Sequence, residues 1–215
     1  MRFFVTGTDT GVGKTEVSCA LLASMVKPWA FKPCESGGTG DSEALREAAG
    51  SWQPLESICL YRLKEPLSPL AAATRERKRI DFSKLVRGFQ ALGPGPGIVE
   101  GAGGLFVPIT EKHDVIDLIE AVKLPVVLVA RAGLGTVNHT TLSLRALAER
   151  KLKVAAVVLS QATPGSDLAI SLNRDELERR FPTTTFLGPV LFEADASKRR
   201  KKLRAALKPL VRSPQ

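Results

Sequence analysis

Residues 4 to 22 read FVTGTDTGVGKTEVSCALL: an apolar run, a cluster of small residues, then an apolar-periodic segment. Gly7, Gly11 and Gly13 sit at the junction, followed by Lys14 and Thr15. A strand that turns through glycines into a helix has a narrow range of uses. The glycines let backbone N–H groups face inward around an anion, and the helix N-terminus adds partial positive charge. Gly11, Val12 and Gly13 supply the turn of a phosphate-binding loop. Lys14 is then placed to reach the β- and γ-phosphates of a nucleotide, and the Thr15 hydroxyl to ligate Mg2+. The spacing differs by one residue from the usual pattern. Gly7 lies six positions before Gly13, and Thr8 stands where the first glycine is normally found.

The rest of the chain repeats the strand–helix alternation. Short runs rich in Val, Phe and Leu at 3–7, 29–33, 97–101, 124–130, 154–160 and 185–191 read as strands buried on both faces. Helical patterns fall at 14–25, 42–49, 82–92, 114–122, 139–150, 168–181 and 198–210. The alternation implies a doubly wound α/β fold with a mostly parallel sheet and helices on both faces, a P-loop NTPase-type architecture. A length of 215 residues suits one such domain spanning 1–215. The apolar content of 44% is ordinary for a globular protein, and no apolar run is long enough to cross a bilayer. Phe3-Phe4-Val5 is too short for the apolar region of a secretory leader. Cys19, Cys34 and Cys59 have no C-x-x-C spacing, which suits a reducing cytoplasm, with Cys34 read as an inert thiol in a polar loop.

The net charge is +9, and seven of the 31 basic residues fall in SKRRKKLRAALK, residues 197–208. This basic C-terminal helix, at about 197–211, reads as a solvated face with Leu203, Leu207 and Leu210 turned inward. No aromatic residue interleaves its charges, so neither a nucleic acid nor a membrane is expected as partner.

In sheets of this kind ligands bind beyond the carboxyl ends of the strands. The chemistry-bearing residues gather there: Gly7 to Thr15, Lys32 to Gly38 and Glu100 to Gly104. Mg2+ takes hard oxygen ligands, commonly one or two carboxylates with water. Glu100, between an apolar strand and a glycine turn, is one candidate; Asp41 and Glu43 are others, although Asp41 or Ser42 would also serve as a helix cap. Were the second strand to lie beside the first, Lys32 would face the γ-phosphate from the side opposite Lys14. Two lysines around one phosphoryl group suit transfer to an anionic acceptor. GLGTVNHT, residues 133–140, offers donors for a carboxylate at Gly135, Thr136 and Asn138, or a helix cap and nothing more. His113 and His139 read as surface or packing residues.

Five segments together resemble the dethiobiotin synthetases: VTGTDTGVGKT (5–15), FKPCESG (31–37), EPLSPLAAA (65–73), VEGAGGL (99–105) and GLGTVNHTTL (133–142). The likeness runs in order from residue 3 to about 165 and more weakly to LGPVL. It implies an ATP- and Mg2+-dependent cyclo-ligase that captures CO2 on 7,8-diaminopelargonic acid and closes the ureido ring, releasing ADP and phosphate, in a homodimer. By that resemblance Lys14 and Lys32 hold phosphate and carbamate, and Thr10 and Ser36 stand near carbamate and substrate. Thr15 and Glu100 ligate Mg2+, and the third carboxylate matches Glu43, with Asp41 two residues earlier. Glu100, Gly101, Ala102 and Gly103 border the nucleotide, as do Pro189, Val190 and Leu191. Ser160 or Gln161 takes the place of an asparagine that reads adenine in the family, which opens the nucleotide preference. Gly135, Thr136, Val137 and Asn138 match the loop that binds the substrate carboxylate across the dimer interface.

Two other families share the loop. Partitioning and septum-positioning ATPases carry a further lysine five residues before the loop lysine, where this chain has Asp9. Amidotransferase synthetase domains adjoin a glutaminase region with catalytic Cys and His, for which 215 residues leave no room.

Overall fold

Six strands pair in parallel because their runs are apolar on both faces. A computed structural model describes residues 1–165 and 167–211; the remaining residues of the expected 1–215 domain lie outside it. The chain opens with β1 (Arg2–Gly7), α1 (Lys14–Leu22), β2 (Trp29–Phe31), β3 (Cys34–Ser36), α2 (Gly40–Ala48), α3 (Leu55–Ile58) and β4 (Tyr61–Leu63). Then come α4 (Pro69–Arg75), α5 (Phe82–Gln90), β5 (Gly97–Glu100), β6 (Pro108–Thr110), β7 (His113–Asp114) and α6 (Val115–Val122). It closes with β8 (Val126–Arg131), α7 (Thr136–Glu149), β9 (Val154–Ser160), α8 (Ala169–Arg180), β10 (Phe186–Val190), α9 (Ala196–Ala206) and α10 (Lys208–Val211).

The central sheet has the order β10-β9-β8-β1-β5-β2. Every pair in it is parallel. Side chains alternate across the sheet and build two cores. Phe4, Phe31, Val99 and Leu128 face one layer with Leu85, Ile119, Leu147 and Leu177. Val5, Ile98, Val127 and Val158 face the other, packed by Val17, Leu21, Leu45 and Leu203.

One expectation is corrected here. β2 does not lie beside β1; β5 is inserted between them, pairing with both. The consequence is chemical, because Glu100 at the end of β5 stands between the loop that leads from β1 to Lys14 and the end of β2 that leads to Lys32.

Several short elements escape the periodicity. The three-residue strands β3 and β4 form a small parallel sheet, and β6 and β7 an antiparallel pair. Helix α4 begins with Pro69 at its first turn and Ser68 accepting a hydrogen bond from the Ala71 N–H at 3.4 Å, a regular start signal inside EPLSPLAAA. Cys34 lies not in a polar loop but buried in β3. Burial pushes the Cys34 thiol up, and those of Cys19 and Cys59 to about 12. The basic segment folds as α9 and α10, with Leu203, Leu207 and Leu210 buried.

Gly97 opens β5 directly against the indole of Trp29, so close that a Cβ there would overlap the ring. Trp29 is buried and donates from Nε1 to the Gly95 carbonyl at 2.8 Å, so the ring has no easy retreat. Gly97→Ala is therefore expected to cost about 1–3 kcal/mol, as overpacking does. Urea unfolding measures it; an unchanged midpoint would show that the ring moves freely.

Candidate active site

The loop between β1 and α1 is shaped by left-handed glycines, Gly11 at φ 71° and Gly13 at φ 95°. The Thr8 N–H donates to the Val129 carbonyl at 2.9 Å and pins the loop to β8. Among the described residues, the backbone N–H groups of Gly11 through Glu16 donate to no protein acceptor. They form a concave row of free donors at a helix N-terminus, the arrangement that receives phosphate. Gly7, rather than residue 8, is the position that must stay bare. A Cβ there would stand 2.8 Å from the Asp9 carbonyl and 3.1 Å from Lys14 Nζ. Lys14 is buried and donates to the Asp9 carbonyl at 2.8 Å. Burial pulls its pKa down, and the nearby Lys32 charge adds to the shift.

Glu100 is the centre of the site. It is fully buried at the carboxyl end of β5. Its Oε1 accepts from Lys32 Nζ at 2.7 Å and from Thr15 Oγ1 at 2.9 Å. Its Oε2 has no partner. Lys32 Nζ also pairs with Asp41 Oδ2 at 2.8 Å. Burial opposes the charge of Lys32, but Glu100 and Asp41 outweigh it and hold the ammonium above the ordinary lysine range. For Asp41 burial pushes upward, yet Lys32 and Thr15 prevail and lower its carboxyl.

Which of the two acids on α2 joins this cluster is decided by the helix. Asp41 reaches Lys32, whereas Glu43 is exposed and accepts from Thr39 Oγ1 at 2.8 Å. Two residues further along an α-helix is a rotation of about 200°, so both cannot face the same way. The structure thus brings Asp41, and not Glu43, beside Lys32. Asp41 is not a cap either, since α2 starts at Gly40. Its first-turn donors are met by Glu35, a buried residue of β3 that takes the Asp41 N–H at 2.8 Å and the Ser42 N–H at 3.1 Å. Sequence reasoning missed Glu35. The available signal was a carboxylate in KPCESGG, flanked by small residues just past a strand end.

Lys14 and Lys32 line one cleft of about 690 Å3, together with Thr10, Gly11, Gly13, Thr15, Ser36, Asp41, Ala102 and Gly103. The remaining expected residues lie elsewhere. Val12 is buried beneath the loop, and Gly101 is packed against Phe4 and Val115. Ser160 Oγ sits 3.1 Å from where a Cβ on Gly13 would be. Gln161 spends its amide inside the protein, donating to the Gly165 carbonyl at 2.7 Å and accepting from the Phe192 N–H at 3.2 Å. Pro189, Val190 and Leu191, at the end of β10, do not line the cleft. Nor do Gly135, Thr136, Val137 and Asn138. Thr136 is buried with its hydroxyl 3.2 Å from that of Thr140, while Asn138 is exposed. These residues open α7 rather than forming a loop, and the turn before them is held by Asn173, which donates to the carbonyls of Ala132 at 2.7 Å and Gly133 at 3.0 Å. His113 stacks on Phe82 with ring centroids 4.0 Å apart, away from the cleft.

A family model described as an AAA domain matches residues 1–199. The ATP-dependent dethiobiotin synthetase BioD of Anaeromyxobacter dehalogenans strain 2CP-C is 47% identical over 82% of this chain and 83% of its own length. The protein of the same name from strain 2CP-1 is 43% identical over 95% of this chain and 96% of its own. The chain belongs to the dethiobiotin synthetase family. Among solved structures, the ParA family ATPase of Chlorobium tepidum TLS superposes with a TM-score of 0.54 at 13% identity, covering 99% of this chain and 92% of that one. That likeness is one of fold. Membership in the dethiobiotin synthetase family makes the protein an ATP-dependent ring-closing ligase, with ATP as co-substrate.

Within this synthetase the ion pair at Glu100 has a measurable structural role. Removing one partner of a buried pair costs about 3–5 kcal/mol because the other charge is stranded. Lys32→Met is expected to destabilise by that order, and Lys32→Met with Glu100→Gln to recover at least half. Chemical unfolding of the two variants checks this; a Lys32→Met variant as stable as the parent would contradict it.

Proposed function

We propose that the protein makes dethiobiotin in biotin biosynthesis, from 7,8-diaminopelargonic acid, CO2 and ATP, with Mg2+, releasing ADP and phosphate. The observation that carries this reading is the presence of two ammonium groups, Lys14 and Lys32, in one cleft beside a nest of free N–H donors. The 7-amino nitrogen bonds to the carbon of CO2 and loses a proton, giving a carbamate. A carbamate oxygen attacks the γ-phosphorus, and ADP departs. The 8-amino nitrogen then attacks the carbonyl carbon, loses a proton and expels phosphate, which carries away one carbamate oxygen. Phosphoryl transfer between anions is limited by repulsion, and positioned cations are the means of relieving it. Lys14 serves the phosphate side and Lys32 the carbamate side. Thr10 and Ser36 line the same cleft and orient the carbamate and the substrate amine.

The residues present fit Mg2+. Thr15, Asp41 and Glu100 offer only hard oxygen donors, and Glu100 Oε2 is buried without a partner. Among the described residues no group of three or more His, Cys, Asp or Glu is clustered for a metal. That is consistent with an ion that draws its other ligands from water and phosphate. Bound there, Mg2+ supplies charge neutralisation on the phosphates.

Gly135–Asn138, the N-cap and first residues of α7, act on the substrate carboxylate in the site of a partner protomer in a homodimer. Their absence from the lining of their own chain's cleft supports this, as does the exposure of Leu134 and Leu142 beside them. The cysteine usage supports a cytoplasmic location. No helix among the described residues is long and apolar enough to cross a membrane.

Incubation with diaminopelargonate, bicarbonate, Mg2+ and ATP, followed by mass detection of dethiobiotin, tests the reading; absence of product would refute it. Asp41→Asn is expected to lower kcat by roughly 100-fold, in the range of a lost charge-stabilising group, and to raise the Mg2+ requirement. Glu43→Gln should behave as the parent. The reverse ranking would return the role to Glu43.

A further inference from the structure

The basic helix α9 carries Lys198, Arg199, Arg200, Lys201, Lys202 and Arg204, and of these only Arg199 is buried. It stands one helical turn before Leu203 and two before Leu207, on the inward stripe. At this position the stripe meets not the apolar core but the phosphate-binding loop. Arg199 Nε is ion-paired with Glu16 in the first turn of α1. Its guanidinium carbon lies 5.6 Å from the centre of the Phe192 ring, and its Nη2 would be 3.9 Å from a Cβ on Gly13. It lines the cleft together with Gly13 and Thr15. Among the described residues, Nη1 and Nη2 make no hydrogen bond.

A buried guanidinium is costly unless its donors are used. Here one of its nitrogens is paired with Glu16, while Nη2 lies close to Gly13, in the loop whose N–H groups also lack protein acceptors. Both sets of donors open onto the same cleft, and an oxyanion is the ligand chemistry that would use both. An arginine fork matches phosphate oxygens in pairs, which a lysine does not. The sheet order also assigns it a side. Glu100 and Lys32 flank the loop from β5 and β2, while Ser160 and Arg199 flank it from beyond β8.

We propose that Arg199 binds a phosphate of the nucleotide directly, on the side of the loop away from the transferring group, so that α9 forms a wall of the nucleotide site. This rests on the ATP reading above and adds a residue to it. Glu16 is then a holder: its carboxylate fixes Nε and leaves the fork free.

Calorimetric titration of ADP with Mg2+ tests this in four proteins: the parent, Arg199→Ala, Glu16→Gln and the double variant. Arg199→Ala is expected to weaken ADP binding by roughly 10–100-fold, the range for a hydrogen bond to a charged group. Glu16→Gln alone keeps most of the affinity, and the double variant stays as weak as Arg199→Ala. If Arg199 only masks the Glu16 charge, the double variant regains parental affinity, and the proposal fails. It fails equally if Arg199→Ala binds ADP as the parent does. Should Arg199→Ala not fold by circular dichroism, Arg199→Lys replaces it, since it retains the charge facing Glu16; weaker ADP binding supports the fork, and parental binding overturns it. A parent protein that binds no ADP would instead remove the nucleotide reading itself, and this proposal with it.

Discussion

A single carboxylate with no access to water organises this molecule. Glu100 takes one ammonium and one hydroxyl on the same oxygen and leaves the other oxygen unpaired. It is tolerable in the interior only because Lys32 stands 2.7 Å away. The sheet order makes that meeting possible. β5 lies between β1 and β2, so its terminal residue is within reach of the loop after one neighbour and of the lysine after the other. The same contact that keeps the buried charge acceptable brings Lys32 into the cleft that Lys14 enters from the loop. Stability and chemistry therefore draw on one ion pair.

A second layer of residues determines how this cluster is presented. Glu35 takes the donors at the start of α2 and so aims Asp41 at Lys32. Asn173 fixes the carbonyls of Ala132 and Gly133 before α7. Arg199 closes the loop from the far side through Glu16. Each is a buried polar side chain brought from a different element, and each spends its hydrogen bonds on backbone or on a charge near a ligand-facing loop. Such groups are costly to bury without partners, which is why their partners indicate what they hold in place.

The sheet and its loop were legible in the sequence because they rest on short-range chemistry. Six apolar runs bounded by turn residues announced six buried strands, and Gly13-Lys14-Thr15 announced the anion site. Long-range order was not legible. Nothing in the residues of β2 tells that β5 will enter beside β1, and the three-residue strands β3 and β4 carry no usable period. Which of Asp41 and Glu43 stands beside Lys32 depends on where α2 begins, and the first-turn donors there are met by Glu35 rather than by a residue of the helix itself. Arg199 was hidden for another reason: in a run of basic residues, burial of one cannot be told from composition, although its spacing to Leu203 and Leu207 marks the inward face.

The account holds that the cleft phosphorylates an anion made from CO2, and that the oxygen so phosphorylated leaves with the phosphate. Turnover with 18O-labelled CO2, read by mass spectrometry of the inorganic phosphate before the label exchanges with water, is the direct measurement. The account predicts one labelled oxygen in each phosphate released. Phosphate free of label, formed alongside dethiobiotin, would contradict it.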